Sequence, residues 1–189
     1  MTVQKVQEKD LLERLTRVFQ EHGFEGASLS LISQATGLKR ASLYHRFPGG
    51  KEEMAQAVLR HAQERFGRDL LEPLRGSGEP AERVREMARR LDAFYRQGRR
   101  SCLLDTLSLE NLAPLRRLTA TAARGWIQAM TEVALEAGLS SAQARNLSEQ
   151  AVIRIEGALV LARATGDRRP FQEVIEILPK LLTGSESEE

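Results

Sequence analysis

Between Ser28 and Lys51 the chain reads SLSLISQATGLKRASLYHRFPGGK. This stretch holds four basic side chains, Lys39, Arg40, Arg46 and Lys51, and no carboxylate. Ser42, Tyr44 and His45 add further donors among them. Such a set suits a phosphate backbone. Guanidinium and ammonium groups neutralise phosphates or reach guanine edges, hydroxyls donate to either, and the missing acids remove repulsion. Gly49, Gly50 and Lys51 are expected to present main-chain N–H groups at a helix start, a second anion site, and Ser28 stands at the same place on the preceding helix.

Positioning these groups needs two short helices joined tightly. Ser28 is a natural N-cap for a helix reaching about Thr36, with Leu29, Ile32 and Ala35 inward. Gly37 permits a left-handed turn residue. A third helix is predicted from about Lys39 to Phe47, with Leu43 and Phe47 inward, and Pro48-Gly49-Gly50 ends it. Ahead of this pair, Leu11, Leu15, Val18 and His22, widened by Leu12 and Phe19, predict a helix from about Val6 to Glu21 stopped by Gly23. Three short helices with the third exposed form a helix-turn-helix.

Helical periodicity continues throughout, and no segment alternates as a strand would. The fold class is all-α with about nine helices: a helix-turn-helix head over residues 1–50, a larger helical body over 51–183, and a frayed acidic tail over 184–189. The fourth helix is expected from Lys51 to the Gly76–Pro80 break, the fifth from Pro80 to Gln97, and the sixth from Cys102 to Asn111. The seventh runs from Pro114 to Glu136. The eighth is capped by Ser140 or Ser141 and reaches Thr165, and the ninth runs from Pro170 to Leu182.

A net charge of +2 means that any nucleic-acid site must be a local patch. A single cysteine, a polar N-terminus and the lack of a membrane-length apolar run point to the cytoplasm. His22, His45 and His61 lack metal-ligand spacing, so no metal or cofactor is expected. Gly76-Ser77-Gly78 follows no strand and makes no phosphate cradle. A helical-bundle enzyme is therefore only a remote alternative. Cys102 follows Arg99 and Arg100 near a helix start, where positive charge and the helix dipole would lower a thiol pKa. That raises redox sensing as a question against the plainer role of a core residue.

The run from Gly23 to Leu59 resembles the head of TetR-family transcriptional regulators. It carries Gly23-Phe24, the Ser28 cap, Ile32-Ser33-Gln34-Ala35-Thr36-Gly37, Leu43-Tyr44-His45-Arg46-Phe47 and Lys51-Glu52. Its Pro-Gly-Gly-Lys form is similar to the subgroup related to the LmrA and YxaF regulators. Arg46 stands where the family usually has His, and Lys39 where a Ser or Pro usually opens the recognition helix. Those changes bear on which operator is read rather than on how it is held.

The resemblance implies a two-fold dimer on double-stranded DNA and a small-molecule effector. DNA-contacting residues are then Ser28, Lys39, Arg40, Ser42, Tyr44, His45, Arg46, Gly50 and Lys51. The dimer surface is expected on Ala151, Ile155, Ala158, Leu159 and Ala162 of the eighth helix, and on Val174, Ile175, Leu178 and Leu182 of the ninth. The effector pocket is expected among Met87, Leu91, Phe94, Leu104, Leu107, Trp126, Met130 and Ile155, and would suit an apolar or aromatic molecule. The expected function is a repressor released from a palindromic operator. The alternative is a regulator without an effector, controlled by abundance or a protein partner.

Overall fold

The computed structural model describes residues 7–108 and 110–184. Within them the chain is all-α, with nine α-helices and no strand. The predicted start at Val6 and the last five tail residues lie outside the described residues.

Helix α1 spans Glu8–Gly26 and buries Leu11, Leu15, Val18 and Phe19, as the period requires. His22, expected on that stripe, is exposed instead. The helix kinks at Gly23, and the extra turn brings Phe24 inward to stack on Phe19 at 6.3 Å between ring centroids. Helix α2 (Leu29–Thr36) and helix α3 (Arg40–Arg46) follow.

Helix α4 begins at Gly50 and is α-helical only to Phe66. A π-helical turn, Gly67–Leu71, and a 3-10 turn, Glu72–Arg75, carry the chain to the break. Pro73 accounts for the departure from one long helix: it has no N–H to give, and its ring collides with the carbonyl four residues back.

Helix α5 (Pro80–Phe94) stops three residues earlier than periodicity predicts. Arg96 and Gln97 there take left-handed φ of 50° and 58°. Helix α6 is only Leu103–Ser108. Helices α7 (Ala113–Glu136), α8 (Ser141–Thr165) and α9 (Arg169–Thr183) complete the chain. Ser140, not Ser141, caps α8, in a capping box with Gln143.

Two apolar cores result. One lies in the head, and α4 shares it through Met54, Ala55, Val58 and Leu59, so residues past 50 are part of that packing. Leu103 and Leu107 of α6 and Leu115 of α7 also join the head core. The other core fills the body between α5, α7, α8 and α9. Arg83, buried in the body, donates Nη1 to the Leu74 carbonyl at 2.6 Å and Nη2 to Glu136, while its Nε has no partner. Helix α6 is thus body in sequence and head in packing, a position that matters for coupling.

Candidate DNA-binding face and effector cavity

The turn between α2 and α3 is held by polar side chains. Ser28 Oγ accepts from the Leu31 N–H at 3.2 Å and caps α2. Gly37, at φ +71°, ends α2 in the left-handed region, where a side chain would be strained. Ser33 Oγ donates to the Leu38 carbonyl at 2.6 Å, and Thr36 Oγ1 accepts from the Leu38 N–H at 3.3 Å. Leu43 and Ile32 are fully buried beneath. Helix α3 is thereby pinned by one face while the other is free.

That free face carries Lys39, Arg40, Ser42, Tyr44 and His45, all exposed. Lys39 makes no side-chain cap, consistent with the loss of a Ser at that place. Arg40 Nη2 donates to Ser30 Oγ at 2.8 Å, which orients the guanidinium across α2 and α3. Tyr44 is 45% exposed, and its ring rests on Gly50. A Cβ on Gly50 would stand 3.4 Å from the ring, and φ there is +66°, so this glycine leaves room for the tyrosine. Arg46 is half-buried.

The start of α4 differs from expectation. The Gly49 N–H donates to Glu53 Oε2 at 2.7 Å, and the Gly50 N–H to the Phe47 carbonyl at 2.9 Å. These donors are therefore already engaged, because Glu53 caps its own helix from within the first turn. Lys51 folds back: its ammonium lies 4.4 Å from the Phe24 ring centroid and 3.9 Å from a Glu25 oxygen. Ser30 was not expected to take part, and Glu53 was expected only to favour the positive N-terminal end of its helix. The available signals were a hydroxyl in the first turn of α2 and a glutamate early in α4.

A cavity of about 340 Å³ lies between α1, α4, the α5–α6 loop and α7. Of the predicted pocket residues, it brings together Phe94, Leu104 and Trp126. Met87, Leu91, Met130 and Ile155 pack in the body core, and Leu107 in the head core. The cavity sits closer to the head than the apolar pattern suggested, and Phe66 and Tyr95 line it unforeseen.

The predicted oligomer stripe turns inward. Ala151, Ile155, Ala158, Leu159, Ala162, Val174, Leu178 and Leu182 are buried within one protomer, and Ile175 is half-buried. Their small and apolar side chains serve the close approach of α7, α8 and α9 to one another. The apolar groups left outside on α8 and α9 are Ile153, Val160, Leu161 and Ile177, with Ile153 at 69% and Leu161 at 52% exposure.

Cys102 is buried, accepts a hydrogen bond from the Tyr95 hydroxyl at 3.2 Å, and lines the cavity. Burial first, and the charge of Glu156 next, push its thiol well above the usual range. Hydrogen bonds from the Tyr95 hydroxyl and the Leu104 N–H act to lower it but are outweighed by desolvation, and the lowering expected from neighbouring arginines does not enter.

An exposed, acid-free helix set across a capped turn on a small core defines a helix-turn-helix DNA-binding protein. Comparison with known proteins agrees on both halves of the chain. Residues 11–58 match the family described as bacterial regulatory proteins, tetR family, and residues 80–177 match the C-terminal domain of LmrA/YxaF-like transcriptional regulators. The chain belongs to the TetR family of DNA-binding transcriptional regulators, in its LmrA/YxaF-like branch. That family consists of regulators rather than enzymes. It is 26% identical over 177 residues to the HTH-type transcriptional regulator LmrA of Bacillus subtilis, covering 91% of this chain and 94% of LmrA. It is 36% identical over 89 residues to the HTH-type transcriptional repressor AcnR of Corynebacterium glutamicum, 44% of this chain and 47% of AcnR. Its fold matches a cysteine mutant of the TetR-family regulator CifR, solved with 26-base-pair operator DNA, at a TM-score of 0.76 and 23% identity over 95% of this chain and 98% of CifR.

Proposed function

We propose that the protein is a homodimeric repressor that occupies a palindromic operator and leaves it when a small molecule enters the cavity. The observation that carries the reading is the exposed face of α3, where Lys39, Arg40, Ser42, Tyr44 and His45 stand without a carboxylate. Arg40 and Lys39 read bases or phosphates, Tyr44 donates to a phosphate, and Arg46 adds charge at the helix end. One head covers too few base pairs for specificity, so two heads must act one helical turn apart, about 34–36 Å.

The two-fold contact is assigned to the outer face of α8, where Ile153, Val160 and Leu161 stand with Gly157, and to Ile177 of α9. Gly157 faces open space, which suits the close approach of a partner helix. The repressor sense follows AcnR, whose similarity covers 44% of this chain. Control by an effector is supported by the cavity's place between head and body. Gln20 of α1 donates to the Ser101 carbonyl at 2.8 Å, and α6 packs into the head core. A ligand preferring a displaced α6 moves the head by its own differential affinity.

The test is fluorescence anisotropy on duplexes selected from random DNA, with sedimentation equilibrium. A dimer binding an inverted repeat, with affinity falling steeply with salt, is expected. A monomer indifferent to DNA at low salt refutes the reading. Compounds that raise the melting temperature are then added to the complex. Stabilising compounds that all leave operator affinity unchanged would remove effector release.

A further inference from the structure

We propose that the cavity takes a compact aromatic carboxylate, its ring against the aromatic floor and its anion held by arginines from both head and body. The inference rests on the cavity being the effector site proposed above, and it names the chemistry of that effector.

The floor is a chain of touching rings. Phe66 meets Trp126 edge-on at 4.7 Å between centroids and Phe94 at 5.7 Å, and Phe94 meets Tyr95 at 5.2 Å. All four line the cavity. Trp126 is 1% exposed, and its indole N–H has no hydrogen-bond partner. Edge-to-face geometry is the preferred contact of one ring with another, so a flat guest extends the cluster. At about 340 Å³ the cavity is near the lower end of small-ligand sites, which run roughly 300–1,000 Å³ and suit a molecule of one or two rings here.

The rim has the opposite character. Arg17, Arg65, Arg96 and Arg100 line the same cavity, and Glu13 is the single carboxylate among its lining residues. Arg65 is engaged with Asp69 at 3.4 Å and lies over the Phe94 ring. Among the described residues, Arg17, Arg96 and Arg100 form no ion pair. Arg100 reaches only the Phe94 carbonyl, at 3.5 Å. Its pKa is lowered, first by burial and then by the charges of Arg96, Arg65 and Arg17, with Glu13 opposing as the smallest contribution.

Like charges are thus gathered at the mouth of an apolar hole with little to neutralise them. An ordinary solvated charged face spreads its cations outward; here they converge on a cavity, and Arg96 does so from a left-handed backbone at φ 50°. A carboxylate relieves the repulsion and accepts charge-assisted hydrogen bonds. Arg17 belongs to α1, Arg65 to α4, and Arg96 and Arg100 to the α5–α6 loop, so the bound anion would also join head to body.

The test uses the full-length protein and three probes of one shape: phenylbutyrate, phenylbutanol and phenylbutylamine. Trp126 is the sole tryptophan of the chain, so its fluorescence reports occupancy, with calorimetry as a second readout. Phenylbutyrate is expected to bind at least about tenfold more tightly than the alcohol, equivalent to about 1.4 kcal/mol, and the amine more weakly than either. Arg100→Gln should abolish the preference for the acid while leaving alcohol binding in place. Arg17→Gln, at an exposed position, should reduce the preference and serves as the second variant if Arg100→Gln does not fold. Equal binding of acid and alcohol, an undiminished preference in the variants, or no binding by any probe overturns the proposal.

Operator anisotropy separates this inference from the effector reading. An acid that binds through the arginines but leaves DNA affinity unchanged supports the ligand chemistry and defeats effector release. Neutral aromatics that bind and release DNA, with acids inactive, do the reverse.

Discussion

Glu156 of α8 makes the protein's stability depend on pH in a direction opposite to that of most carboxylates. Both of its oxygens are out of reach of solvent, and the neighbouring polar group is the Cys102 thiol. Burial raises its carboxyl from the ordinary 4.5 to about 7, against the lowering pull of a hydrogen bond from Cys102, with the Asp105 charge adding and Arg163 opposing. The unfolded chain therefore loses this proton near pH 4.5 and the folded chain near pH 7. Between those values the folded state binds more protons, so stability falls as pH rises, then levels off above about pH 7. The full effect is about 3 kcal/mol, from about 1.4 kcal/mol per pKa unit.

Glu156→Gln removes the titrating group while nearly keeping its shape. Urea unfolding of wild type and variant at fixed protein concentration, near pH 5 and near pH 8, measures the contrast. The variant's stability relative to wild type should rise by about 3 kcal/mol from the lower to the higher pH. An unpartnered buried amide lowers the variant's curve at both pH values alike, so the change with pH is the quantity to read. Parallel pH profiles for the two proteins would refute the reasoning, because they would mean that Glu156 ionises alike folded and unfolded.

Arg40→Ala should weaken operator binding by about 1–3 kcal/mol with the melting temperature unchanged, measured by anisotropy and calorimetry; unaltered affinity removes Arg40 from the contact set. Gly37→Ala should cost about 1–2 kcal/mol in denaturant unfolding, since the added Cβ meets open space and the whole penalty is the left-handed backbone. Leu161→Glu should shift the sedimentation equilibrium toward monomer if the outer face of α8 is the two-fold contact, and an unshifted dimer assigns the contact elsewhere. Cys102 should resist alkylation in the native protein and react on unfolding, since burial holds its proton; a fast native reaction would contradict that account.

Local and long-range forces leave different traces in this chain. The head was readable because its signals are local. Ser28 caps the helix that follows it, Gly37 supplies the turn, and Leu43 and Ile32 fall on the buried face by period alone. The boundaries that missed belong to longer reach. Helix α4 changes character where Pro73 interrupts it, and α5 stops short at Arg96 and Gln97, whose backbones turn left-handed. The anion site imagined at Gly49 and Gly50 was already filled, because Glu53 and Phe47 reach those N–H groups first.

Composition and periodicity by themselves determined an all-α chain and a basic head without acids on its reading helix, while the motifs between Gly23 and Leu59 carried the resemblance to its family. Which side of α8 is buried within the protomer, and which aromatics share a cavity with which arginines, were decided only by tertiary packing. A helical period reveals that a residue is on an apolar stripe; it carries no information about whether the surface covering that stripe comes from the same protomer or another. Arg17 and Arg100 stand far apart along the chain, and nothing local requires them to meet; the packing of α1 against the α5–α6 loop brings them to one rim.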